Sequence, residues 1–208
     1  MLRVKLEGIL NAHRSRLTEW LGHIPLSLGL IVGLGFIAIQ TLTLLAMGHP
    51  PICKCGVVKL WNGMVSSPEN SQQITDWYTY SHIIHGFGFY GLFRWLAPST
   101  SVGFRLALAI GLESGWEIIE NTPLVIDRYR QSALALGYFG DSVINSVADT
   151  LAAVIGFGLA HKLAVSATVL LAVSMELFAA YAIRDNLTLN VIQLIRPSVA
   201  ISHWQMRQ

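Results

Sequence analysis

Hydrophobic positions in this chain fall in long unbroken runs rather than in stripes. Residues 24–47 hold no ionisable side chain. Further runs occupy about 78–96, 102–119, 141–161 and 165–183, each near the roughly 20 residues that carry a helix across a bilayer. Pro98 and Ser99 separate the second run from the third, and the basic pair His161-Lys162 turns the fourth into the fifth. Between runs lie a long segment at 48–77, rich in Pro, Ser, Asn and Gln, and a loop at 120–140 with Pro123 and the charged run Asp127-Arg128-Tyr129-Arg130. The pattern predicts an all-α fold: one integral membrane domain over residues 1–208, built as a bundle of about five transmembrane helices.

The two ends read differently. Residues 1–23 interleave Arg3, Lys5, Arg14 and Arg16 with Leu2, Val4, Leu6, Ile9, Leu10, Leu17 and Trp20, the pattern of a basic amphipathic segment on the cytoplasmic surface. Apolar sequence begins only near Ile24, runs too long for a signal-peptide core and lacks a small-residue cleavage site, so the first run is expected to stay as a span. Residues 184–208 read as a periplasmic tail. Within it Leu187, Leu189, Val191, Ile192, Leu194 and Ile195 form a stretch too short to span, suited to an interfacial helix that stops at Pro197. With the N-terminus inside, its four basic residues join Arg94, Arg105 and Lys162 on the cytoplasmic side and leave the other seven of fourteen outside. The weight of the first helix breaks that tie in favour of a cytoplasmic N-terminus.

Composition agrees. The chain is 53% apolar and 12% charged, with a mean hydropathy of +0.52, where soluble domains carry about 25% charged residues. A net charge of +2 gives no ground for a nucleic-acid partner. Cys53 and Cys55 are too few for a disulfide framework. A short strained disulfide in an oxidising periplasm, metal binding together with His49, and plain packing within the loop all suit them. No P-loop, dinucleotide fingerprint, G-x-S-x-G or H-E-x-x-H occurs, so nothing supports a nucleotide-driven enzyme.

Candidate chemistry sits inside the apolar runs. His82-x-x-His85 opens the second, Glu113-x-x-x-Glu117-x-x-x-Asn121 closes the third, and Asp141-x-x-x-Asn145-x-x-x-Asp149 opens the fourth. Ionisable groups in a bilayer are costly unless paired, hydrated or metal-bound, so they read as functional by default. Alternating spans bring all three patterns to one membrane face, and i, i+3 and i, i+4 spacing puts each on one helical stripe. Inward-facing imidazoles and carboxylates from several helices suit a divalent cation such as zinc, manganese or iron. His85, Glu113, Glu117 and Asp141 are the first-choice ligands or acid–base groups, with His82, Asn145 and Asp149 as their partners. The competing expectation is a hydrogen-bonded network that only locks the bundle. Glycines 86, 88, 91, 111 and 115 are expected to serve helix packing. Arg128, Arg130 and Arg184 at the same face could hold a lipid phosphate, or simply pair with Asp127 and Asp185. Trp61, Trp77, Tyr78, Tyr80 and Trp95 fit an interfacial aromatic belt. Glu176, mid-way along the last run, is a further carboxylate expected to pair within the bundle. These features fit an enzyme acting on a lipid or lipid-linked envelope substrate at the periplasmic face. They also fit a transporter or assembly factor that uses the same groups as a proton relay.

Longer motifs carry a resemblance. Cys53-Lys-Cys55-Gly56, Asp76-Trp77-Tyr78-Thr79, Ser81-His82-Ile83-Ile84-His85-Gly86, Trp116-Glu117-Ile118-Ile119-Glu120-Asn121, Gly140-Asp141-Ser142-Val143-Ile144-Asn145-Ser146 and Ile183-Arg184-Asp185-Asn186-Leu187-Thr188 together resemble the bacterial family of domain of unknown function 2585, over nearly the whole chain. That resemblance implies a multi-pass inner-membrane protein of Gram-negative bacteria, chiefly alphaproteobacteria, and implies no activity. A looser likeness extends to VanZ-like membrane proteins, from which the second histidine and the Glu-x-x-x-Glu pair depart.

Overall fold

The computed structural model describes residues 19–132, 134, 135 and 137–206. Most of the expected cytoplasmic amphipathic segment, residues 1–18, lies outside the described residues. The apolar runs are helical: α1 (Leu26–Ala46), α2 (Thr79–Leu96), α3 (Val102–Glu120), α5 (Val143–Lys162) and α6 (Val165–Ile183). Three shorter helices complete the order, α4 (Pro123–Tyr129), α7 (Leu187–Ile195) and α8 (Val199–Gln205). The only strands among the described residues are β1 (Trp61–Asn62) and β2 (Thr75–Asp76), a two-residue parallel pair in the loop after α1.

Helices α1, α5 and α6 are long and apolar enough to cross a membrane. Their outward faces agree: Leu34 and Leu42 of α1 and Val165, Leu170, Leu177 and Tyr181 of α6 are exposed. Helices α2 and α3 are of similar length, but His82, His85 and Arg94 in the one and Arg105, Glu113, Glu117 and Glu120 in the other make them more polar.

Two close pairs build the bundle, α1 on α3 and α2 on α5, and both pairs run parallel. Glycine is what lets them approach. A Cβ on Gly86 would lie 2.1 Å from the Ala153 carbonyl oxygen, and one on Gly156 would lie 2.1 Å from that of Ile83. Gly29 and Gly103 do the same for the other pair, where a Cβ would lie 2.2 Å from the Gly103 and 2.6 Å from the Pro25 carbonyl oxygen respectively. Gly111 packs on the Phe36 ring, as a packing role requires, but Gly88, Gly91 and Gly115 meet nothing within 4 Å and so are not packing glycines in this chain. Below the polar end, Leu106, Ala109, Ile110 and Phe157 form the apolar core.

Several helix ends depart from the expected bounds. Ser142 caps α5, its Oγ accepting from the Asn145 amide at 3.3 Å. Asp141 therefore precedes the helix and does not share a helical stripe with Asn145 and Asp149. The loop after α3 folds into α4, which starts at Pro123, a residue suited to a first turn. The tail holds two helices rather than one, because Pro197 ends α7 and Ser198 caps α8. Glu176 does not pair across the bundle. It accepts the Leu187 and Thr188 amides at 2.9 and 3.0 Å and so supplies the acidic group for the α7 N-terminus.

The glycine crossing has a direct test. Gly86→Ala and Gly156→Ala are each expected to lower the thermal midpoint in detergent, by about 1–3 kcal/mol of overpacking. Gly88→Ala is expected to leave it unchanged or raise it, since alanine is the better helix former. Equal losses at all three positions would exclude the crossing described.

Candidate metal and acid–base centre

His82 and His85 leave the first two turns of α2, Glu113 and Glu117 the last two of α3, and Asp149 the second turn of α5. The α2–α5 crossing sets these groups against one another. Glu113 is fully buried between the two rings. Nδ1 of His82 donates to its Oε1 at 2.6 Å, and Nδ1 of His85 lies 3.2 Å from each of its oxygens. An ionised carboxylate only accepts, so both Nδ1 atoms carry the proton and a neutral ring presents a lone pair at Nε2. This is how a carboxylate orients an imidazole toward a metal on its far nitrogen. Nε2 of His82 faces Oδ2 of Asp149 at 3.8 Å. That is too long for a hydrogen bond, and two bonds of about 2.0–2.2 Å to one cation would span it.

Glu117 is also fully buried. Its Oε2 accepts from Ser146 Oγ at 2.7 Å, Ser146 accepts from Gln40 Nε2 at 2.8 Å, and Thr150 donates to Gln40 Oε1 at 2.9 Å. Its Oε1 lies 3.3 Å from His82 Nδ1 yet accepts no hydrogen bond, because the one proton on that nitrogen points to Glu113.

A second group of carboxylates stands where α3 ends and α5 begins. Asn121, the residue after α3, donates to Asp141 Oδ2 at 2.7 Å and accepts the Asp141 amide at 2.7 Å. The Tyr138 hydroxyl donates to Asp141 Oδ1 at 2.8 Å, and Tyr129 and Glu120 line the same cavity. His49 sits behind, its ring nitrogens 3.0 and 3.1 Å from the Asp141 and Asn121 carbonyl oxygens. Gly140 must be glycine: its φ is +94°, and a Cβ there would lie 2.5 Å from the His49 ring.

The loop at 48–78 closes this end. Carbonyls of Pro50 and Pro51 accept the Val143 and Ile144 amides, satisfying the first turn of α5. The Asn145 amide group donates to the Gln73 carbonyl at 2.9 Å, and Gln72 donates to that of Gly140 at 2.8 Å. Cys53 and Cys55 are joined by a disulfide in the same loop. Asp76 fastens the loop's end by accepting the Ser71 and Tyr78 amides, and burial pushes its carboxyl up to about 6.

A cavity of about 570 Å³ opens onto both groups. His82, His85, Glu120, Asp141 and Asp149 form its polar wall, while Phe89, Leu112, Trp116 and the inner face of α7 form its apolar wall. No Lys or Arg among the described residues lines it.

The residues expected from sequence thus fall into different places. His82, His85, Glu113, Glu117 and Asp149 meet. Ligand atoms within 4.8 Å of one another come from three overlapping sets here: His82, His85 and Glu113; His82, Glu117 and Asp149; and Glu117, Glu120 and Asp141. His85 and Glu113 therefore group apart from Glu117 and Asp141. Asn145 is turned to the loop. The arginines are engaged by protein: Arg128 donates to the Leu194 and Ile195 carbonyls at the end of α7, Arg130 to Tyr138 O and Asp127, and Arg184 to Trp204 O. Sequence reasoning missed Glu120, Gln40, Ser146 and the tyrosines at 129 and 138. Only Glu120 carried a signal, being one turn beyond Glu117. Of the expected aromatic belt, Trp61, Trp77 and Tyr80 cluster on Phe178, whereas the Tyr78 hydroxyl donates to Asp185 at 3.0 Å.

These features define an all-helical membrane protein with a buried histidine–carboxylate centre beneath an apolar cavity. The profile of the family described as Protein of unknown function (DUF2585) matches residues 44–207, and the chain belongs to that family. It is 54% identical over 177 residues to a UPF0314 protein of Sphingopyxis alaskensis, covering 85% of this chain and 94% of that one. It is 56% identical over 176 residues to one of Sinorhizobium fredii (85% and 89%) and 52% identical over 179 residues to one of Rhizobium meliloti (86% and 91%). No solved structure matches the chain.

Asp185, between α6 and α7, gives a test of how this end is held. It accepts from Tyr78, from Gln205 at 3.2 Å and from the Asn186 amide, and burial pushes its carboxyl from 3.8 up to about 6. An acid whose folded pKa is raised binds more protons folded than unfolded. Its stabilisation is present below the unfolded value and is lost as pH rises through the folded one. Asp185→Asn keeps the shape and removes the charge. The variant is expected to match the wild type at pH 4 and exceed it at pH 8, by on the order of 2–3 kcal/mol. Thermal midpoints in detergent that run parallel across this range would exclude the assignment.

Proposed function

We propose that the protein is a membrane-embedded, metal-dependent enzyme acting on a lipid or lipid-linked envelope substrate at the periplasmic face of the bacterial inner membrane. The observation that carries this is the cavity: an apolar wall able to take acyl or isoprenoid chain, over a floor of buried imidazole and carboxylate. Such groups are expensive at membrane depth unless function retains them. In this reading one divalent cation is held by His82, Glu117 and Asp149, and Glu113 orients His82 toward it. His85 and Asp141 face the cavity as acid–base or binding groups. The cation supplies Lewis acidity to a substrate oxygen. With no Lys or Arg on the cavity wall among the described residues, an anionic headgroup would be met by the cation rather than by Arg128, Arg130 or Arg184.

The same reading makes α2 and α3 cross the membrane along with α1, α5 and α6, giving five spans with a cytoplasmic N-terminus. The 48–78 loop then faces the periplasm. Impermeant thiol reagent is expected to label Cys55 in intact spheroplasts after mild reduction. Labelling that appears only after the inner membrane is ruptured would reverse the orientation.

Glu113→Gln tests the chemistry. The amide keeps size but loses the charge that fixes both tautomers. It is expected to weaken cation binding roughly 10–100-fold while the fold survives, and to abolish any change that the wild-type protein causes in the lipid profile of expressing cells. Unchanged metal affinity with raised thermal stability would instead identify a structural lock, because removing a buried charge then only relieves the bundle. A second reading, a transporter or assembly factor, draws on the hydrogen-bonded line from Gln40 through Ser146 and Glu117, which suits a proton relay. Ion-coupled flux in proteoliposomes without product would select it.

A further inference from the structure

We infer that the centre holds two divalent cations rather than one, with Glu117 as the shared ligand. This rests on the metal-dependent reading above and extends it to a second site formed by Glu117, Glu120 and Asp141. Each of these three residues offers an oxygen within 4.8 Å of the others, and Glu117 belongs equally to the set with His82 and Asp149. Glu117 is 0% exposed, and its Oε1 has no hydrogen-bond donor. A buried carboxylate oxygen without a partner is costly, and a cation on that oxygen removes the cost.

The other carboxylates are oriented as metal ligands are. Tyr138 and Asn121 hold Asp141, and Ser146 holds the second oxygen of Glu117. Each contact leaves a lone pair free, as expected where outer partners position a ligand. No Lys or Arg on the cavity wall balances Glu120, Asp141 and Asp149, so a second cation is the available counter-charge among the described residues. Glu120 and Asp141 line the cavity, as His82 and Asp149 do, so both ions would border the substrate. Paired cations bridged by a carboxylate form a clamp for two oxygens of one anionic group, so the substrate class that fits is a lipid carrying a phosphate-type headgroup.

The test uses Mn²⁺ as probe on the full chain in detergent, stripped with chelator, then followed by equilibrium dialysis and electron paramagnetic resonance. Wild type is expected to bind two Mn²⁺ per chain with an exchange-coupled spectrum. Glu120→Gln is expected to bind one, with the hyperfine pattern of an isolated ion. Tyr138→Phe keeps every carboxylate, removes the hydroxyl that holds Asp141, and is expected to weaken the second ion alone, roughly 10–100-fold, so the test stands even where Glu120→Gln fails to fold. A single uncoupled ion in wild type overturns the second site and leaves the single-cation reading intact. No bound Mn²⁺ overturns both. Two ions, unaffected by either variant, overturn the assignment to Glu120 and Asp141.

Discussion

The approach of α2 to α5 at Gly86 and Gly156 is the constraint on which the polar end depends. Backbones meet there at a distance no side chain would permit, and the contact lies one turn below His82 and two turns below Asp149. In lipid the hydrophobic effect does not drive helices together, so small residues and close packing must do so. Once the crossing is fixed, His82 has no alternative to facing Asp149 and the acidic face of α3. Glu113 then has two imidazole donors and Glu117 has Ser146. The glycines specify the site without touching it.

A second requirement is that helix ends be satisfied away from water. The site stands where α3 ends and α5 and α7 begin, so many backbone groups there need partners. The chain meets this with side chains and loop carbonyls: Ser142, Pro50 and Pro51 for α5, Asn121 for the turn out of α3, Glu176 and Asn186 for the start of α7, and Arg128 for its end. This explains why several conspicuous polar residues are spent on structure. Asn145 and the three arginines belong to that work, whereas His82, Glu113, Glu117 and Asp149 satisfy no helix end.

The long helices were legible in sequence because apolar runs of bilayer length leave little choice, and Pro98 with Ser99 and the pair His161-Lys162 mark the turns. Convergence of the histidines with Glu113 and Glu117 was legible too, since successive long helices joined by a short turn bring the start of α2 and the end of α3 to one level. What lay beyond reach was local. Asp141 looks like the first residue of a stripe, but Ser142 caps as well as Asp does and takes that position, so the helix starts past Asp141. Gly88 and Gly91 look the same as Gly86, and only the azimuth of α5 separates them. Gln40 lies in a run with no charge and no motif, so nothing marked it as the residue by which α1 holds Ser146 and Thr150.

The charge balance of the cavity follows from these placements. The arginines that sequence puts at this face are drawn outward to the carbonyls of Leu194, Ile195, Tyr138 and Trp204, because those helix ends and turns need donors. The acids cannot follow, since Glu113, Glu117 and Asp149 are fixed on helix faces that the glycine crossing turns inward. Two histidines are left against five carboxylates around the cavity. In a medium where an uncompensated charge is costly, that excess must be met by protons, by cations or by a positively charged ligand. The hydroxyls of Tyr138, Ser146 and Thr79 donate to Asp141, Glu117 and Asp149, which offsets part of the cost of burying these carboxylates without balancing their charge. The charge balance is thus left to be met within the cavity, and a bound cation is the completion on which the proposed metal-dependent reading rests.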